Sequence, residues 1–203
     1  MFEAAKSFDQ DLNTLQVSRG RSFASMFDQA PRFNRPLEAW NVSSGEDFGA
    51  MFAYANSFNQ PLNGWDVSMG LRFAYMFFVT TNFNQSLHEW SLGEGTDFRY
   101  MFARATNFDQ PLNHWNMSSS RALSHMFDKA KSFNQPLNTW DVSHCYYFEQ
   151  MFYDATRFVQ NLCDWGTKMN PLSDVSSMFY FTCLLYTSPS PRDLSTSRMP
   201  SSA

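Results

Sequence analysis

The feature that most constrains the fold is a 25-residue repeat, which runs from residue 1 to residue 152 without insertion or deletion. Each copy opens with a Met-Phe pair, and a second phenylalanine and a leucine follow at fixed distances. A period of this length indicates units that stack on one another, because one unit cannot bury its apolar face alone. We number the repeats from one (residues 1–25) to six (126–150), with repeat seven starting at residue 151. All six tryptophans share one position of the repeat: Trp40, Trp65, Trp90, Trp115, Trp140 and Trp165.

Two spacings of apolar residues within one repeat predict two kinds of local structure. One set follows the period of a helix and predicts a short helical segment: Phe48, Met51, Phe52, Ala55 and Phe58. The next apolar residues lie in residues 62–67, where Trp65 and Val67 have the two-residue spacing of a strand. Pro61 stands at the start of this segment, where a strand tolerates the missing N–H. The segment therefore predicts a short strand. We therefore expect an α/β repeat solenoid, with a parallel sheet along one side and helical segments along the other.

The repeat motif is similar to that of a known family. The pattern M-F-x-x-A-x-x-F-N-Q-P-L-x-x-W-D-V-S resembles the repeat of the BspA-like leucine-rich repeat surface proteins, also catalogued as a mycoplasma lipoprotein-associated repeat of unknown function. The resemblance covers residues 1 to about 170 and implies a leucine-rich-repeat-like fold, with a role in adhesion or recognition at cell surfaces. Repeat four departs from the pattern at FNQSLHEWSLGEGTDF, and repeat seven is two residues longer at FVQNLCDWGTKMNPLSDVSSMF.

Two columns of polar residues also follow the period. The first column predicts a structural ladder, because stacked amides can satisfy backbone groups at a corner: Asp9, Asn34, Asn59, Asn84, Asp109 and Asn134. The second column lies between buried tryptophan and valine and is expected to face outward: Asn41, Asp66, Ser91, Asn116 and Asp141. We take Asn41, Asp66, Asn116 and Asp141 as a candidate binding face; the alternative is a solvated surface of turn-forming residues.

A second candidate surface consists of aromatic residues outside the main apolar positions. Tyr54, Tyr75, Phe78 and Tyr100 fall beside the Met-Phe positions of neighbouring repeats. Exposed aromatics on adjacent turns are typical of contact sites, and the alternative explanation is partial burial between turns.

Composition and charge exclude several classes of function. No apolar run approaches the length of a membrane span, and a net charge of −4 without a basic stripe argues against a nucleic-acid partner. Asp66 and Asp141 are three repeats apart, too far to share a calcium ion. The cysteines and the four histidines fall at scattered register positions, and His88 and His114 are expected to face opposite sides of an extended strand. The sequence predicts no catalytic residues, metal site or cofactor.

The last 21 residues break the repeat. CLLYTSPSPRDLSTSRMPSSA, residues 183–203, has no repeat register, and its parts can be encoded by the transposase end, primer site and adapter of a common sequencing library. We interpret 183–203 as a disordered adapter-translation artefact and exclude it from the fold. Because Met1 occupies the internal methionine position, residues 1–182 are interpreted as an open-ended fragment of about seven repeats.

Two functions follow from these observations. The first is a non-enzymatic recognition or adhesion module that binds a protein or glycan partner, at a cell surface or secreted, as the family resemblance suggests. The second is an intracellular scaffold for protein–protein interactions, with the binding arm of a larger protein that carries a catalytic domain as one form of it. The fold does not choose between them.

Overall fold

The protein is a stack of turns in which each 25-residue repeat lies directly on the next. A computed structural model describes residues 2–180, so the region 183–203 that we interpreted as adapter lies outside the described residues. Single parallel bridges join neighbouring repeats at one register position: Ser22 to Asp47, Asp47 to Arg72, Arg72 to Asp97, Asp97 to Ala122, Ala122 to Tyr147 and Tyr147 to Asp174.

The prediction of an α/β solenoid built from strands and helices is wrong. Within residues 2–180 the structure has one helix, α1, Trp165–Lys168, and no named strand. The bridges stand isolated and form no sheet. Helix α1 lies where repeat seven carries its two extra residues, which is the region that the sequence marked as irregular.

Consecutive tight turns replace the predicted helical segment. The amide of Met51 donates to the carbonyl of Phe48 at 3.2 Å, and that of Ala55 donates to Phe52 at 3.0 Å. The alternate amides point to the next repeat, where Phe48 and Phe52 donate to carbonyls 24 residues ahead at 2.9 Å. Ala50 has a φ of 52°, a left-handed conformation that no α-helix contains. Turns of four residues space apolar side chains by three and four, as a helix does, and the sequence pattern cannot distinguish the two.

The predicted strand is also made of turns. The amide of Trp65 donates to the carbonyl of Leu62 at 3.0 Å, and that of Gly70 donates to Val67 at 2.8 Å. Trp65 and Val67 are buried and Asp66 is exposed, so the alternation is correct although the segment is not a strand. The actual backbone pairing occurs at Asp47 and its equivalents, whose identities vary from repeat to repeat and give no periodic signal.

The core consists of aromatic columns that cross the repeats. Rings at equivalent positions stack nearly parallel: Phe27 on Phe52 at 5.5 Å, Phe33 on Phe58 at 5.9 Å, Phe48 on Phe73 at 5.4 Å and Trp40 on Trp65 at 6.4 Å between centroids. Each indole N–H donates to a leucine carbonyl of the preceding repeat, as Trp65 does to Leu37 at 3.0 Å. Burial therefore occurs between repeats, and the buried indoles keep a hydrogen-bond partner.

One register position requires a small residue because a phenylalanine ring lies against it. A β-carbon added at Gly70 would approach Cζ of Phe73 to 2.3 Å, and one at Gly45 would approach Cζ of Phe48 to 2.5 Å. Repeat five has Ser120 at this position and Leu123 in place of the phenylalanine. Repeat six combines the buried Cys145 with Phe148, so the position excludes large side chains and accepts serine and cysteine as well as glycine.

Candidate functional site

The first polar column forms the predicted structural ladder. The side-chain Oδ1 of Asn34 accepts the amide N–H of Asn59 at 3.0 Å, and Oδ1 of Asn59 accepts that of Asn84 at 2.9 Å. Gln60 also donates from Nε2 to Asn34 Oδ1 at 3.0 Å. The ladder prediction is confirmed, because each amide satisfies a backbone donor of the repeat stacked on it.

The second polar column is exposed, and its side chains serve the local backbone. Asn41, Asp66, Asn116 and Asp141 each accept, through Oδ1, the amide N–H of the residue two positions ahead, at 3.0–3.1 Å. This geometry is a turn closed by the side chain. The hydrogen bonds from Ser68 and Ser143 lower the pKa values of Asp66 and Asp141. Turn formation accounts for these four residues, and their role in binding stays a prediction.

The structure brings the four predicted aromatic residues together in one surface cluster. Phe78 meets Tyr54, Tyr75 and Tyr100 edge-on, at centroid distances of 5.2, 5.5 and 6.1 Å. Tyr75 stacks on Tyr100 at 4.6 Å, and Tyr100 stacks in turn on His125 at 4.2 Å. We call these five residues the aromatic cluster. Tyr54 keeps 43% and Tyr75 keeps 39% of its surface exposed, whereas Phe78, Tyr100 and His125 are half-buried. The cluster is therefore partly buried between repeats and partly open to solvent.

A groove of about 540 Å³ borders the cluster along repeats four to six. Ala122 and Ser124 are small, and larger side chains surround them, including Tyr100, His125 and Tyr147. Tyr147 is 57% exposed. The groove exists because short side chains occupy two register positions of repeat five, where repeat four has Asp97 and Arg99 and repeat six has Tyr147 and Glu149.

The charges of the groove are only partly paired. Arg99 contacts both carboxylate oxygens of Asp97, through Nε at 2.9 Å and Nη2 at 2.7 Å. Within residues 2–180, Arg121 and Glu149 form no ion pair. Among the described residues, the groove therefore has one positive side chain, Arg121, and one negative side chain, Glu149, that form no ion pair.

Titratable groups at the cluster are shifted toward their neutral forms. Burial raises the pKa values of Tyr75 and Tyr100 and lowers that of His125. Burial also raises the pKa of Asp128, whose Oδ1 has no hydrogen-bond partner. His125 Nδ1 is likewise buried without a partner. A neutral His125 gives the cluster an aromatic and polar surface with little charge of its own.

The remaining histidines and cysteines do not form a catalytic arrangement in the part of the chain that the structure describes. Cys145 is buried, and burial raises the pKa of its thiol to about 12, which keeps it protonated and unreactive. No group of three or more histidine, cysteine, aspartate or glutamate side chains in this part could hold a metal ion. No helix there is long and apolar enough to cross a bilayer.

The prediction that His88 and His114 face opposite sides is wrong. Their ring centroids lie 4.1 Å apart, because residues 87–90 and 112–115 form turns and not the extended strand on which the prediction depended. Burial lowers the pKa of His114, and the neighbouring His88 lowers it further.

Comparison with known proteins gives a family and no function. Residues 1–90 and 72–186 match the model of a family described as Mycoplasma protein of unknown function, DUF285. The chain belongs to this family. The comparison with curated proteins found no significant match, and the comparison with solved structures found none either.

Sequence reasoning missed the groove within this DUF285 repeat because it followed the positions that stay constant. Constant positions are the core, whereas the residues around the groove lie at positions where the repeats differ. The position of Tyr75 and Tyr100, for example, carries Ser25, Ala50, His125 and Gln150 elsewhere. A comparison of the repeats with one another, in search of variable positions, would have found this face.

Proposed function

We propose that this chain is a non-enzymatic recognition module that binds a protein partner through the aromatic cluster and the adjoining groove. The observation that carries the proposal is the cluster itself. Five rings from three consecutive repeats meet on one face, although none of them belongs to the repeated core. Tyrosine and arginine are the residues that dominate the energetics of protein interfaces, and both border this groove.

The geometry of the cluster favours a protein over a glycan. Tyr75 and His125 cover the two faces of the Tyr100 ring, so Tyr100 offers its edge and its hydroxyl and no free face for a sugar ring. The unpaired Arg121 and Glu149 supply charges of both signs, which suits the mixed charges of a protein surface. The resemblance to BspA-like proteins supports a partner at a cell surface and an adhesive role.

The test compares the binding of labelled protein to intact cells. A variant with Tyr54→Gln, Tyr75→Ala, Phe78→Ala and Tyr100→Ala removes the cluster, and each new residue already occurs at that position in another repeat, as Gln29, Ala50 and Ala53 do. Its matched control carries Asn41→Asp and Asn116→Asp on the second polar column, where Asp66 and Asp141 show that aspartate closes the turn.

Binding measured by flow cytometry on bacterial and epithelial cells is expected for the wild type and the control, and is expected to fall by more than about tenfold for the cluster variant, since hot-spot residues cost 2 kcal/mol or more. Trypsin treatment of the cells should abolish the signal. Binding that survives trypsin and disappears after deglycosylation would show a glycan partner instead. Wild-type protein that binds no cell, or a cluster variant that binds as well as wild type, contradicts the proposal.

A further inference from the structure

His88 and His114 form a close pair on the surface of repeats four and five, away from the aromatic cluster. Their ring centroids are 4.1 Å apart with the planes inclined by 55°, and both side chains are exposed. They are contributed by neighbouring turns at adjacent register positions, so the stack itself places them side by side.

Folding does not explain the histidine at position 88. At this register position Asn13 and Asn63 close the next repeat: Asn13 Oδ1 accepts the N–H of Ala39 at 3.0 Å, and Asn63 Oδ1 accepts that of Glu89 at 3.0 Å. Glu38 and Cys163 occupy the position in repeats two and seven. An imidazole has no amide oxygen to offer the N–H of His114. The stack therefore tolerates other residues at this exposed position, as Glu38 shows, and the position is free to carry a histidine.

The surroundings of the pair suit a cation. Burial lowers the pKa of His114, and the nearby backbone of Leu87 and His88 opposes this shift. Glu89 occupies the register position of His114 in the preceding repeat, and its negative charge acts on the pair. Neutral imidazoles are ligands for zinc, copper and nickel, and they bind at about 2.0–2.1 Å in the case of zinc.

We propose that His88 and His114 form a two-histidine site for a divalent transition-metal ion of the zinc, nickel and copper class, with water completing the coordination. Both exposed rings can rotate so that one nitrogen from each reaches a shared ion. The site is independent of the proposed recognition function, because it shares no residue with the cluster or the groove.

The test is a titration of the full chain, purified without a polyhistidine tag, with NiCl₂, ZnCl₂ or CuCl₂ in a calorimeter. His88→Asn restores the asparagine of Asn63 and Asn113, and His114→Thr introduces the residue of Thr14 and Thr139, so both variants keep residues native to the repeat. Each is expected to weaken binding by more than about tenfold, since even the loss of an outer partner of a ligand costs 10–100-fold. MgCl₂ should give no signal, because magnesium prefers oxygen ligands.

His144→Ala is the matched control, because His144 is an exposed histidine outside the pair, and it should leave the affinity unchanged. In NMR spectra, Cu²⁺ should broaden the ring signals of His88 and His114 before those of His125 and His144. The proposal is overturned if His88→Asn binds as tightly as wild type, or if His144→Ala weakens binding as much as either pair variant. Thermal unfolding of each variant excludes loss of the fold as the cause.

Discussion

At the scale of the residue, close contacts across the stack decide which substitutions the repeat accepts. The clearest case is the pair of glycines Gly45 and Gly64. A β-carbon at Gly45 would lie 2.5 Å from Cζ of Phe48, whereas one at Gly64 would meet nothing within 4 Å. Neither glycine has a positive φ, so the difference between them comes from space alone.

We therefore predict that Gly45→Ala destabilises the protein by about 1–3 kcal/mol, the usual cost of overpacking a core. Gly64→Ala is the control and should change the free energy of unfolding by less than about 0.5 kcal/mol, as surface substitutions usually do. Urea unfolding followed by tryptophan fluorescence measures both. Equal effects of the two substitutions would contradict the packing described here.

Asp128 is a second case at this scale, because this residue destabilises the folded state. Only 8% of its surface is exposed, and the same position carries the buried Ala53 and Ala103 in other repeats. We predict that Asp128→Ala stabilises the protein at pH 7 by about 1 kcal/mol, because a buried oxygen without a partner is removed.

The gain should depend on pH. Burial raises the pKa of Asp128 above its ordinary 3.8, so the folded protein binds this proton more tightly than the unfolded chain. The charged carboxylate of Asp128 therefore destabilises the wild type at pH values above the pKa that Asp128 has in the folded protein. This destabilisation decreases as the pH falls through that pKa, so the advantage of Asp128→Ala shrinks toward pH 3.8. Asp66→Ala is the contrasting control: its carboxylate is stabilised by Ser68, so this substitution should destabilise at pH 7.

At the scale of the element, the question is whether the Met-Phe segment is a helix or a series of turns. The two structures give opposite expectations for Ala50, whose φ of 52° is left-handed. In a helix, Ala50→Gly would cost about 1 kcal/mol. In the turn observed here, the left-handed conformation costs an alanine about 1–2 kcal/mol, and glycine removes that cost. Glycine also makes the unfolded chain more flexible, which lowers the stability of the folded state by a smaller amount.

We predict that Ala50→Gly is neutral or stabilises the protein by up to about 1 kcal/mol. Ala53→Gly in the same segment is the comparison, because Ala53 is buried and has no positive φ, and it should destabilise. Thermal unfolding of the two variants decides the matter. Destabilisation by both would restore the helical interpretation.

At the scale of the whole molecule, order without regular secondary structure has a spectroscopic consequence. Trp40 stacks on Trp65, and Trp90, Trp115, Trp140 and Trp165 stack in series, with centroid distances of 6.1–6.5 Å. The described residues contain one four-residue helix. We predict a far-ultraviolet circular dichroism spectrum without the double minimum of helices, together with an exciton signal from the indole column.

Both the exciton signal and the buried-tryptophan fluorescence should disappear in one cooperative urea transition, because each repeat is covered by its neighbours. A spectrum with a strong helical double minimum, or a gradual loss of fluorescence without a transition, would contradict the stack. The control is the same measurement in a non-denaturing osmolyte, which should leave both signals in place.

The sequence alone determined everything that the period carries: the repeat length, the core residues, the stacking of neighbours and the structural role of Asn34 and its equivalents. It also placed Tyr54, Tyr75, Phe78 and Tyr100 outside the core. These properties follow from which residues recur, because a stacked repeat must present the same apolar face each time.

Only the tertiary structure decided how the backbone runs between those residues. Apolar spacings of three and four are shared by helices and by four-residue turns, and the hydrogen bonds that separate them join Phe48 and Phe52 to the next repeat. The contact of His88 with His114 and the groove beside Tyr100 depend in the same way on side chains 25 or more residues apart, which meet only when the repeats stack. A linear pattern carries no record of such contacts, because they are made between repeats.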